Sequence, residues 1–228
     1  VLGSNPSRRT NYMSIFDKKI NKIVIFSFFI KVAFVFFFHE KNLSDEWAIL
    51  FQNFQSFKSY SYYIFDGEAV PSSYMPPLYF VFIYFNKILS FDKINFIYLI
   101  YFNQILISSL TVYLFYKLCE NFLDEKFSLL GALIFSIFPL MIYSNGLISS
   151  SSLQLFFYLL FINSFIKLFS NEINKRNLFF LILISALTLL LRGEFLIIFL
   201  FSLIFLGFSN KKKIVTSLII LLLTIILV

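Results

Sequence analysis

Long apolar runs separated by short polar breaks fill most of the chain, and seven of them, at 20–38, 95–117, 127–143, 153–169, 177–192, 195–209 and 214–228, predict membrane helices. A helix needs about 17–25 largely apolar residues to cross a ~30 Å hydrocarbon layer. The run at 78–89, LYFVFIYFNKIL, is too short to span and predicts an interfacial or re-entrant helix. The expected fold class is therefore all-α: a polytopic transmembrane helix bundle, with amphipathic juxtamembrane helices in one large loop over 39–94.

Composition agrees with that pattern. Of the 228 residues 59% are hydrophobic and only 14% charged, where a soluble domain carries about a quarter charged. The single cysteine, Cys119, and single histidine, His39, leave no thiolate or imidazole cluster for a metal, so none is expected. A net charge of +7 suits either nucleic acid or a membrane surface, and the placement of the bases decides between them. With a cytoplasmic N-terminus, 13 of the 19 bases fall in cytoplasmic segments. Lys41, Lys58, Lys87, Lys93 and Arg192 lie on the other side, and Lys31 lies inside the first run. That asymmetry follows the positive-inside rule, so the charge reports orientation and nucleic acid drops out as a partner.

The expected organisation is a tail over 1–12, then an N-terminal membrane domain over 13–228 truncated at its C-terminal end. The tail VLGSNPSRRT has no initiator Met and resembles the translated end of a tRNA gene, which makes Met13 the expected start. The final run, LIILLLTIILV, reaches Val228 with no polar flank.

Loop 39–94 holds Glu40, Asp45, Glu46, Asp66, Glu68 and Asp92, six of the twelve acids, which concentrates the candidate chemistry there. Trp47, Leu50, Phe51 and Phe54 repeat at helical spacing and predict a helix lying on the membrane, with Ser44 as its N-cap. Asp45 and Glu46 then occupy its first turn. They serve there either as favourable charges at the positive end of the helix dipole or, for Asp45, as a general base; spacing does not choose. Asp66-Gly67-Glu68 predicts a turn, and Pro76-Pro77 predicts an extended lead into the short helix that follows.

Taken together, Ser44-Asp45-Glu46-Trp47 after a first helix and Tyr74-Met75-Pro76-Pro77-Leu78-Tyr79 later in the same loop resemble the family 39 type of integral-membrane glycosyltransferases, of the GT-C fold. These include protein O-mannosyltransferases and the aminoarabinose transferase of lipid A. The run from Lys126 to Pro139, followed by Tyr143, is similar to the family's helix ending at an external Pro/Tyr turn. Leu189 to Glu194 is similar to its basic outer helix end, with Gly193 where many members have proline. The turn at Asn145-Gly146 and Ser149 to Ser152 offers serines where some relatives carry an acid.

The resemblance implies transfer of a sugar from a polyprenyl-phosphate carrier to a glycan, lipid or protein acceptor at the external face, with no cofactor beyond that donor. It implies a multi-pass protein of the bacterial inner (plasma) membrane, with its N-terminus in the cytoplasm and membrane lipids around it. Asp45 matches the family's catalytic acid and Glu46 its neighbour. Tyr74, Pro76, Pro77 and Tyr79 match the second loop motif. Arg192 is expected to hold the donor phosphate, the other reading being a snorkelling anchor, with Glu194 as a nearby acid. Lys31, a mid-helix charge, is expected to face a polar cavity or to snorkel. His39 and Glu40 read as the polar end of the first helix. A transporter or lipid flippase is the alternative, as it also tolerates an intramembrane charge, although no internal repeat or mid-helix acid is visible.

Overall fold

A computed structural model describes residues 6–43, 45–71, 75–91, 93–170, 174–209 and 211–228, with the backbone alone for 6–17, 45, 170, 208–209 and 211–214. The chain is mostly helical. A long helix α1 (Pro6–Phe37) leads into the loop, where α2 (Asp45–Phe57), a hairpin of β1 (Tyr63–Phe65) and β2 (Glu68–Val70), and α3 (Pro77–Leu89) follow. Then come α4 (Phe96–Cys119), α5 (Glu125–Ser136), α6 (Pro139–Tyr143), α7 (Ser151–Ser170), α8 (Lys175–Leu191), α9 (Phe195–Ser209) and α10 (Lys211–Leu227).

Among the described residues, three helices are long and apolar enough to cross a membrane: Lys18–Phe37 within α1, α4, and Ser151–Phe169 within α7. The remaining expected crossings correspond to shorter helices; α8 and α10 have 17 residues and α9 has 15. The helix α3, with 13 residues, is short, as its sequence predicts.

Two features depart from the sequence-based expectation. The single helix expected over 127–143 is two, α5 and α6. Pro139 has no N–H to donate to the preceding turn, and its ring drives Phe138 into extended geometry, φ −63° and ψ 123°, so the ladder ends and restarts with the proline in the first turn of α6. The loop also carries a small antiparallel sheet, with Tyr63 opposite Val70 and Phe65 opposite Glu68, in a fold expected to be all-α. Asp66 (φ 50°) and Gly67 (φ 82°) both take positive φ, the geometry of a tight hairpin turn.

Packing falls into three clusters. In the first, Trp47, Leu50 and Phe51 of α2 and Tyr79, Phe80 and Ile83 of α3 bury against Val35 of α1, Ile97, Ile100 and Tyr101 of α4, and Leu191 at the end of α8. The loop helices thus form a lid over one end of α1, α4, α7 and α8. At the opposite end Ile20, Val112, Tyr116 and Ala132 join α1, α4 and α5. The third cluster joins α7 to α10 through Phe161, Leu181, Phe195, Phe199, Leu206 and Ile220. Outward faces stay apolar: Phe29, Phe36, Phe37, Phe201 and Phe205 are all exposed. A contiguous apolar surface of this kind invites aggregation in water and is at home in hydrocarbon.

Candidate functional site

The lid and the helix ends beneath it line an open cavity of about 520 Å³. Glu40 comes from the segment after α1, Glu46 and Trp47 from α2, Met75 and Pro76 from the lead into α3, Leu147 to Ser150 from the α6–α7 connection, and Leu191 and Arg192 from the end of α8.

The helix α2 holds Glu46 there because its apolar stripe is buried: Trp47 is 6% exposed and stacks edge-on against Tyr79 at 4.8 Å. Residues 45 and 46 are thereby fixed at the helix start, whose partial positive charge favours carboxylates. Pro76 is held from behind: the Tyr60 hydroxyl donates to the Met75 carbonyl at 2.7 Å. Burial pushes the Tyr60 phenol up to about 12. A folded-state value above the usual ~10 means the native state holds this proton longer, so the tie is present below about pH 10 and is lost as pH rises through 12. Tyr60→Phe is accordingly expected to flatten the alkaline limb of a stability-versus-pH curve; an unchanged limb would contradict that assignment.

Arg192 ends α8 in an extended conformation, with its backbone N–H still bonded to the Thr188 carbonyl at 2.9 Å. Its Nε donates to Ser150 Oγ at 3.2 Å, and no ion pair joins it to Glu194. Among the described residues its terminal nitrogens have no acceptor, and a guanidinium matches phosphate or carboxylate geometry.

Ser150 is positioned by a strap anchored on one face of α4. Tyr101, Gln104 and Ser108 are spaced three and four residues apart and so share that face. The Tyr101 hydroxyl shares its single proton between the Glu40 carbonyl at 2.9 Å and the Gly146 carbonyl at 3.2 Å. Gln104 Nε2 donates to the carbonyls of Leu147 and Ser149 at 3.3 and 3.1 Å. Asn145 Nδ2 donates to Ser108 Oγ at 3.1 Å. Glu40 closes the strap from the other side, its carboxylate accepting from the Ile148 N–H at 3.2 Å. Gly146 lies so close to α1 that a Cβ would collide with the Phe38 carbonyl oxygen and press on the Phe34 ring. Gly146→Ala is expected to lower the thermal midpoint of the protein, since overpacking a tight site costs roughly 1–3 kcal/mol; a wild-type midpoint would show that the approach is not needed.

The candidate residues named from the sequence divide as follows. Glu46, Pro76 and Arg192 share the cavity wall. Tyr79 lies beneath it, fully buried, its hydroxyl without a hydrogen-bond partner among the described residues. Pro77 and Glu194 are exposed and off the wall. Asp45 heads α2 directly before Glu46, but its side chain lies outside the described residues, as do Ser44 and Tyr74.

Lys31 does not join the wall. It is 1% exposed, and its Nζ donates to the Ser108 carbonyl at 2.8 Å, with no other hydrogen bond among the described residues. The packing of α1 on α4 turns this side chain toward the neighbouring helix. Lys31→Met is expected to leave the thermal midpoint unchanged or higher, because a mid-helix Lys costs about 2.5–3.5 kcal/mol on insertion scales; a marked drop would mean that the ammonium has further partners.

Of the polar wall residues, Glu40, Ser149 and Ser150 were not named as site residues from the sequence. Glu40 reads there as a helix terminus, and Ser150 as one of four serines in a turn. No family model matches the chain, and no curated protein or solved structure matches it either.

Proposed function

We propose that this chain is part of a GT-C-type integral-membrane glycosyltransferase of the family 39 kind, multi-pass, with a cytoplasmic N-terminus and its cavity at the external face. One observation carries the reading: Glu46, Pro76 and Arg192, far apart in sequence, share one cavity wall with Glu40. A carrier-lipid transferase needs an anion receptor and a carboxylate facing one space at a membrane boundary, and this wall supplies both.

In the proposed reaction Arg192 binds the phosphate of a polyprenyl-phosphate sugar, with Ser150 fixing the guanidinium. The acceptor hydroxyl attacks the anomeric carbon from the face opposite the phosphate. The new C–O bond forms as the C1–O bond to phosphate breaks, and polyprenyl phosphate leaves with the bonding pair, stabilised by Arg192. Asp45 takes the hydroxyl proton, and Glu46 adds negative potential beside it. Lys31, Tyr79, Pro77 and Glu194 act at most indirectly, because none of them is on the wall.

Incubating the full-length protein in lipid vesicles with defined polyprenyl-phosphate sugars and an acceptor tests this. Acceptor-dependent release of polyprenyl phosphate is the expected result. Movement of the intact lipid-linked sugar across the bilayer without release would favour a flippase, a reading that rests on the buried Lys31.

A further inference from the structure

A groove of about 290 Å³ lies between the end of α7 and the start of α8. The first cavity sits where α7 begins and α8 ends, so this groove is one helix length away from it, about 25 Å for the 17 residues of α8. It therefore marks the opposite boundary of these helices, the one that the placement of the bases expects at the cytoplasmic leaflet. Nothing in the proposed reaction uses it.

Its wall takes Ser164 and Lys167 from α7 and Arg176, Asn177, Phe179 and Phe180 from α8. Ser164 and Lys167 are three positions apart and share a face of α7; Arg176 stands three and four positions before the two rings and so lies one turn beyond them. Both cations are exposed as well as lining the groove, so their charges reach it, and the Phe179 and Phe180 rings are exposed beside them. Among the described residues neither cation has an ion pair, and the side chains of Ser164 and Asn177 have no hydrogen bond. The other connection at this end, over 117–126, is built differently: Lys117 pairs with Glu120 at 2.8 Å, and Asp124 and Glu125 precede Lys126, which leaves a net charge of −1. Over 167–177, Lys167, Lys175 and Arg176 stand against Glu172 alone, whose placement lies outside the described residues, for a net charge of +2.

Two cations from different helices, facing one groove that continues onto apolar rings, match an anion that carries an apolar tail. Inorganic phosphate uses the cations and leaves the rings without a role, whereas a zwitterionic lipid sets its own ammonium against Lys167 and Arg176. An anionic phospholipid meets both conditions, as basic pockets between membrane helices do elsewhere. The Arg176 fork matches two phosphate oxygens, the Lys167 ammonium adds a point charge, and the first turn of α8 adds the positive end of its dipole. The volume is at the small end for a ligand cleft, suited to a headgroup and not to a whole lipid. We infer that this groove is a binding site for the headgroup of an anionic phospholipid, with Lys167 and Arg176 on its phosphate and an acyl chain lying along Phe179 and Phe180.

The test is photolabelling of the full-length protein in lipid nanodiscs with phosphatidylglycerol or phosphatidylcholine bearing a diazirine near the glycerol end of one acyl chain, followed by peptide mapping. Phosphatidylglycerol is expected to label residues within 164–180 well above phosphatidylcholine, and to show no such preference over 117–126. One Lys or Arg near an anionic surface is worth about fivefold in affinity, so Lys167→Gln and Arg176→Gln each weaken the label by about that factor at sub-saturating lipid. The double variant falls to the phosphatidylcholine level, and Lys167→Arg keeps the label. Both side chains are exposed, so the thermal midpoint is expected to stay at the wild-type value in all of these variants. Equal labelling by the two lipids, the same preference over 117–126, or a label that survives in the double variant overturns the site. Displacement by inorganic phosphate at fixed ionic strength also overturns it, by showing a receptor for the free anion. None of these outcomes depends on the function proposed above.

Discussion

Asp45→Asn is expected to lower sugar transfer by about 10²–10⁴-fold, the range for loss of a positioned general base, while insertion and thermal midpoint stay near wild type. The size follows from placement. Asp45 opens α2 immediately before Glu46, and Glu46 is on the cavity wall. The buried stripe of Trp47, Leu50 and Phe51 fixes the helix start against α3 and the ends of α1 and α4, so the backbone of residue 45 is held directly before a wall residue. Asparagine keeps nearly the same volume and loses only the charge, and the dipole contribution it forfeits is about 0.3–1 kcal/mol, too small to unfold the lid. Turnover is followed as release of polyprenyl phosphate; wild-type rates in this variant would remove Asp45 from the mechanism.

Arg192→Gln is expected to cost about 10²–10³-fold in transfer, comparable to removing one donor that stabilises developing charge, and to raise the KM for the lipid donor. Gln keeps a donor for Ser150 Oγ, so the strap is expected to persist. Arg192→Lys retains charge without the fork and is expected to recover only part of the rate. Donor saturation curves for the three proteins check this. An unchanged donor KM in Arg192→Gln would return Arg192 to the role of an interfacial anchor.

How much of this was legible in the sequence depended on the range of the interaction. The α2 stripe was readable because Trp47, Leu50, Phe51 and Phe54 repeat at the helix period and all pack on one side. The hairpin left a weaker trace: Asp66-Gly67 marked the turn, but strands of three residues are too short to show an alternating pattern. Pro139 carried the signal that divides α5 from α6, masked by continuous hydrophobicity on both sides of it.

Long-range pieces left no local mark. Glu40 reaches Ile148 across 108 positions and Arg192 reaches Ser150 across 42, and no periodicity encodes either meeting. Tyr101, Gln104 and Ser108 share a helical face, yet in a membrane helix such a face reads equally as interface belt or packing seam; only the carbonyls facing it reveal an anchor. Lys31 shows the converse. Its burial followed from a charge placed mid-helix, whereas its direction was set by how α1 rotates on α4.

The most direct test uses sealed vesicles of known orientation that hold the full-length protein and a labelled polyprenyl-phosphate sugar, with a membrane-impermeant acceptor on one side only. Labelled product is predicted when the acceptor is on the face opposite the cytoplasmic N-terminus, and not with Asp45→Asn. Product formed only from the cytoplasmic side, or no product with any lipid-linked sugar, would contradict the account.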